Sequence, residues 1–166
     1  FFVLPTEDRS DLEIQKVDVL NALCGCQRLI HLSIHHVECD KGLVAQAAVL
    51  RLPKSLLELQ LPCFAPEVVE ALLGSDPPRL RTLCANLRDV SILMHPNLAG
   101  LQTLELYTAL KTQEQCQSFF TALPILPCLT DLTLRRVQIA DPNWPRAICP
   151  VWHFPQLRRL AVEELR

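Results

Sequence analysis

The stretch Leu129-Thr-Asp-Leu132-Thr-Leu134-Arg-Arg-Val137 places leucines at its first, fourth and sixth positions. Side chains alternate across an extended backbone, so these leucines give a short strand one apolar edge and leave Asp131, Thr133 and Arg135 on the other. The template recurs on both sides. Upstream it reads Leu29-Ile-His-Leu32-Ser-Ile34, Leu56-Leu-Glu-Leu59-Gln-Leu61, Leu80-Arg-Thr-Leu83-Cys-Ala85 and Leu101-Gln-Thr-Leu104-Glu-Leu106; downstream it reads Leu157-Arg-Arg-Leu160-Ala-Val162. The lead residues are 27, 24, 21, 28 and 28 positions apart, and stepping back 28 from Leu29 reaches Phe1 with Leu4 in the second apolar slot. Six complete copies of a three-slot pattern plus a partial N-terminal one do not arise by chance.

Between the strands the chain carries return segments. Ser10 and Glu13 form a capping box for a helix over about 10–23, with Gly25 to end it. An Ala- and Val-rich helix is expected from Gly42 to Leu50, closed by Pro53. A third is expected from Glu67 to Leu73, with Pro66 in its first turn and Gly74 at its end. Thr112 and Gln115 cap a fourth that runs to about Leu123. Prolines break any helix between Asp141 and Pro155. There Trp144, Trp152, His153 and Phe154 either fill the back of the fold or form a partner-binding loop, and the first is preferred because Trp is usually buried.

With 166 residues the chain suits one domain, 1–166, and its start at Phe1 reads as a piece of a longer protein. Apolar residues make up 49 % but aromatics only 5 %, so aliphatic side chains must build the core. The net charge of −2 supplies no field toward nucleic acid, and no uncharged apolar run is long enough to span a membrane. The eight cysteines are scattered, and no N-glycosylation acceptor occurs. Both points favour reduced thiols in the cytoplasm or nucleus.

These spacings resemble the leucine-rich repeat superfamily, in which L-x-x-L-x-L forms a strand and the remainder arches back. Intervals near 28 with helical returns are most similar to the intracellular ribonuclease-inhibitor-like and F-box-associated types. The resemblance implies an α/β solenoid with a curved parallel sheet on its concave side and helices or irregular returns on its convex side. One departure is clear: the family usually carries Asn or Cys at the ninth position, where this chain has Val37, Phe64, Arg88, Ala109, Val137 and Leu165.

Strand alternation assigns His31, Ser33, His35, Glu58, Gln60, Pro62, Thr82, Cys84, Asn86, Thr103, Glu105, Tyr107, Asp131, Thr133, Arg135, Arg159, Ala161 and Glu163 to the concave face. The candidate partner-binding residues among them are His31, His35, Glu58, Gln60, Thr103, Glu105, Tyr107, Asp131, Arg135 and Arg159. Tyr107, between Glu105 and Arg135, is the expected anchor, because interfaces favour Tyr and Arg. Cys24, Cys26, His31, His35, His36 and Cys39 are zinc-ligand types, but C-x-C is narrower than the standard spacing and the strand separates the histidines from the thiols. Free thiols are the preferred reading, and the sequence leaves metal binding open. Cys84 is expected to be a small surface residue, with no His on the adjacent strands to serve as its base. With 4 glycines and no phosphate loop or carboxylate pair, no enzyme and no cofactor are expected. The expected role is a scaffold that presents the concave strands to a protein partner, by analogy the substrate-recognition part of a ubiquitin-ligase adaptor. A ligand-sensing or autoinhibitory repeat domain of an innate-immune type receptor stands as the alternative, beside a purely structural spacer in a larger assembly.

Overall fold

The computed structural model describes residues 22, 25–35, 47, 49–74, 76–107, 126–135 and 156–163. The returns expected over 10–23 and 112–123 lie outside this set, apart from Ala22. So do the N-terminal partial copy and the aromatic segment 141–155. Of the return 42–50 only Ala47, Val49 and Leu50 lie inside.

Among the described residues six strands form one open sheet: β1 His31–Ser33, β2 Glu58–Leu61, β3 Thr82–Ala85, β4 Thr103–Tyr107, β5 Asp131–Arg135 and β6 Arg159–Glu163. They lie side by side in chain order, and every pair is parallel. The register puts the second apolar slots in one row: Leu32, Leu59, Leu83, Leu104, Leu132 and Leu160. The 27-, 24-, 21-, 28- and 28-residue steps of the template are therefore the steps between paired strands. Just before each strand the backbone adds a second ladder. The carbonyl of Ile30 accepts from both Leu57 and Glu58 amides, and the carbonyls of Leu57, Arg81, Gln102 and Thr130 each accept two amides from the next strand's entry.

The apolar slots form one cluster on one side of the sheet. From Leu56 to Leu106 every slot residue is fully buried, and Ala85 fills the third slot of β3 without opening the core to water. Burial fades at β6, where Leu160 is 47 % and Val162 39 % exposed.

The returns follow the length available to them. Between β2 and β3 the 24-residue step holds a helix, α1, Pro66–Leu73, whose Val68, Val69, Leu72 and Leu73 face the core. Pro66 occupies its first turn, where a missing N–H costs nothing. Gly74 ends it at φ 52°, donating its N–H to the Glu70 carbonyl at 2.8 Å. That left-handed conformation suits glycine, and a Cβ there would lie 3.3 Å from the Ala71 oxygen. The 21-residue step between β3 and β4 is shorter, and the chain uses two 3-10 turns instead, Val90–Met94 and Pro96–Leu98. Asp89 caps the first by accepting from Ser91 N–H at 2.9 Å. His95 Nδ1 caps the second by accepting from Asn97 N–H at 3.2 Å.

Two of the ninth positions, Phe64 and Arg88, lie among the described residues, and the turns there are held differently. Phe64 turns inward and is 2 % exposed, so the turn after β2 is held by packing. At Arg88 the side chain is exposed, and the turn amides of Arg88 and Asp89 both donate to Glu70 Oε1 at 2.7 Å. A carboxylate from α1 thus caps the backbone of this turn.

Candidate functional site

The side of the sheet opposite the leucines carries three rows of side chains. The first row is His31, Glu58, Thr82, Thr103, Asp131 and Arg159; the second is Ser33, Gln60, Cys84, Glu105, Thr133 and Ala161; the third brings Tyr107, Arg135 and Glu163 level. All-parallel sheets are usually covered on both faces. Here no described element packs over these rows, and most of their residues are half-buried.

At the β1–β2 end, His31 Nδ1 lies 2.6 Å from Glu58 Oε2. The Ser33 hydroxyl donates to Gln60 Oε1 at 3.2 Å and meets His35 Nε2 at 2.8 Å. Three polar contacts therefore adjoin here, His31 with Glu58 and Ser33 with both His35 and Gln60.

At the other end the candidates converge on Arg135. Its Nε donates to Glu105 and its Nη1 to Glu163, while its guanidinium lies 5.6 Å above the centre of the Tyr107 ring. Planar guanidinium geometry allows both carboxylates and the ring to be engaged at once. Glu105 holds the Arg135 guanidinium above its ordinary range. Asp131 takes a hydrogen bond from the Thr130 hydroxyl at 2.7 Å, and Thr103 stands beside it in the same row. Arg159 follows Asp131 in that row but makes no ion pair with it among the described residues.

Glu163 was placed on this face by alternation but not among the candidates, although it completes the arginine clamp. The signal is the 28-residue step, which sets Glu163 beside Arg135. Cys84 is a correction. It was expected at the surface but is 8 % exposed, and burial, followed by the nearby Glu105 charge, pushes its thiol up to about 12. A thiol so held stays protonated at neutral pH and is a poor nucleophile.

Burial, then the hydrogen bond and charge of Glu105, push Tyr107 up to about 12. It is the only tyrosine of the chain, so its ionisation can be read directly by ultraviolet absorbance. The expected midpoint is near 12, and Glu105→Gln should bring it down toward the ordinary value of about 10. The sign follows from the neutral phenol being favoured in the fold. Its contribution to stability is whole below the ordinary value and is lost as pH rises toward 12. A midpoint near the ordinary value in folded protein would show that Tyr107 is neither buried nor held by Glu105 as it is here.

Among the described residues no cluster of three or more His, Cys, Asp or Glu is arranged to hold a metal ion. Cys24, His36 and Cys39 lie outside those residues. Cys26, Cys84 and Cys128 are free thiols. No helix among the described residues is long and apolar enough to cross a membrane. Comparison with family models, with curated proteins and with solved structures finds no match to this chain.

Proposed function

We propose that the chain is a non-enzymatic interaction module, a leucine-rich repeat solenoid of about six repeats whose polar strand face is the concave, partner-binding surface. The parallel sheet in strict chain order, with one template copy per strand, supports the solenoid reading. The observation that carries the function is the Tyr107–Arg135 pair, fixed between Glu105 and Glu163 on a sheet face that no described element covers. Tyr and Arg dominate binding hot spots, and side chains already held in place lose less entropy when a partner arrives. The partner is a protein, and the role best suited to such a surface is substrate recognition within a ubiquitin-ligase adaptor of the cytoplasm or nucleus. That last step rests on fold-level analogy.

The test is quantitative capture by tagged wild-type chain and by the double variant Tyr107→Ala/Arg135→Ala. Loss of two central anchors should reduce recovery of specifically bound proteins at least about tenfold while thermal unfolding is little changed. Equal recovery by both would remove this face from consideration. Ubiquitin-ligase subunits co-purifying with the full-length protein would support the adaptor role, and their absence would overturn it.

A further inference from the structure

The charges of the described residues are not evenly partnered. Every carboxylate is engaged: Glu58 by His31, Glu67 by Arg88, Glu70 by two backbone amides, Asp76 by Lys54, Asp89 by Ser91, Glu105 and Glu163 by Arg135, and Asp131 by Thr130. Five arginines are not. Arg28, Arg79, Arg81, Arg158 and Arg159 are all exposed and have no side-chain partner among the described residues.

All five lie at one edge of the sheet, where the strands begin. Arg28 and Arg79 each stand three residues before their strands, and Arg81 and Arg158 stand one residue before theirs. Parallel register therefore gives Arg28 and Arg79 the same height two strands apart, and Arg81 and Arg158 the same height three strands apart. With strands about 4.8 Å apart, these separations are about 10 and 14 Å, which an extended segment covers in about three or four residues. The other charges on this edge are Lys54 and Asp76, which neutralise each other, and, in Arg159's own row, Glu58, which faces His31, and Asp131, directly beside Arg159, so that the five arginines still outnumber the carboxylates. The edge thus carries unbalanced positive charge on a chain whose net charge is −2.

We infer that this strand-entry edge docks an extended acidic segment of a protein partner, its Asp and Glu carboxylates paired with Arg28, Arg79, Arg81, Arg158 and Arg159. The guanidinium fork matches a carboxylate with two parallel hydrogen bonds, and arginine sheds its water more readily than lysine. Nucleic acid fits less well. No Phe, Tyr or Trp stands at this edge among the described residues to stack a base, and single-strand binders rely on such platforms. The edge is separate from the Tyr107–Arg135 pair. It adds a contact of defined chemistry without needing that pair to bind.

The probe is a fluorescent twelve-residue peptide of alternating Glu and Ser, titrated with the full chain and followed by anisotropy at low and physiological salt. Binding should weaken several-fold as salt rises. Arg79→Gln/Arg81→Gln and Arg158→Gln/Arg159→Gln should each lose about tenfold in affinity, two charge-assisted hydrogen-bonding groups having been removed. Arg88→Gln removes one equal charge beyond the other end of β3, where Arg88 already faces Glu67, and should change affinity less than about twofold. All five substituted side chains are exposed, so folding is not at stake. Loss of binding by Arg88→Gln equal to that of the edge variants would reduce the effect to net charge and overturn the inference. So would absence of peptide binding at low salt, or tighter binding of a single-stranded oligonucleotide than of the peptide.

Discussion

Phe64→Ala is expected to destabilise the chain by about 3–5 kcal/mol, the range for truncating a buried aromatic side chain. Phe64 is among the largest fully buried side chains, in one apolar cluster with Leu61 at the end of β2 and with Val68 and Val69 of α1. Removing the ring takes apolar surface out of contact and leaves a cavity between the strand exit and the helix start. That junction is tied to backbone, through Phe64 N–H to the Leu61 carbonyl and Val68 N–H to the Ala65 carbonyl, and can collapse only partly. Urea unfolding read by circular dichroism should show a lower midpoint with an unchanged slope. Phe64→Asn sharpens the test, since it puts a polar amide where the ring is buried. A buried amide in an apolar cluster costs more than the ring's absence alone, so the Asn variant should be no more stable than the Ala variant. An Asn variant as stable as wild type would mean that the turn can be held by hydrogen bonds and that packing at Phe64 is dispensable.

The second large effect is a contrast between two copies of one template slot. Leu132→Ala is expected to cost about 2–5 kcal/mol, whereas Leu160→Ala is expected to cost less than about 1 kcal/mol. The two leucines are paired neighbours in the register, and both fill the second apolar slot. Leu132 is 1 % exposed between β4 and β6, so its loss opens a cavity; Leu160 is 47 % exposed, so its loss is mostly a loss of surface already in water. Denaturant midpoints of the two variants, measured side by side, check this. Equal losses would show that the apolar side of β6 is as fully packed as that of β5.

Much of the fold was legible because each strand needs only three apolar slots and an alternating partner set. Leu29, Leu56, Leu80, Leu101, Leu129 and Leu157 located the six strands and their register from spacing alone. Pro66 and Gly74 marked α1 for the local reason that each suits one end of a helix and not its middle. The shorter step to Leu101 was visible, but its consequence, 3-10 turns capped by Asp89 and His95, was not, because short polar caps carry no periodic signal. Glu70 was equally silent: it looks like an exposed helix residue until the turn at Arg88 and Asp89 arrives beside it.

The candidate site divides the same way. Alternation placed Glu105, Tyr107 and Arg135 on one face, which is a property of the strand. That Arg135 closes on Glu163 as well, and that Cys84 sinks to 8 % exposure on the polar side, depends on what the neighbouring strands bring alongside. Leu132 and Leu160 are indistinguishable in the repeat, as are the arginines that have partners and those that have none. The sequence by itself determined the strands, their order and the face each side chain takes, because backbone alternation and a fixed template act within a few residues. The depth of each leucine and the partner of each charge were decided only by the tertiary structure, because burial and ion pairing are properties of neighbours that lie 21 to 30 residues away in the chain.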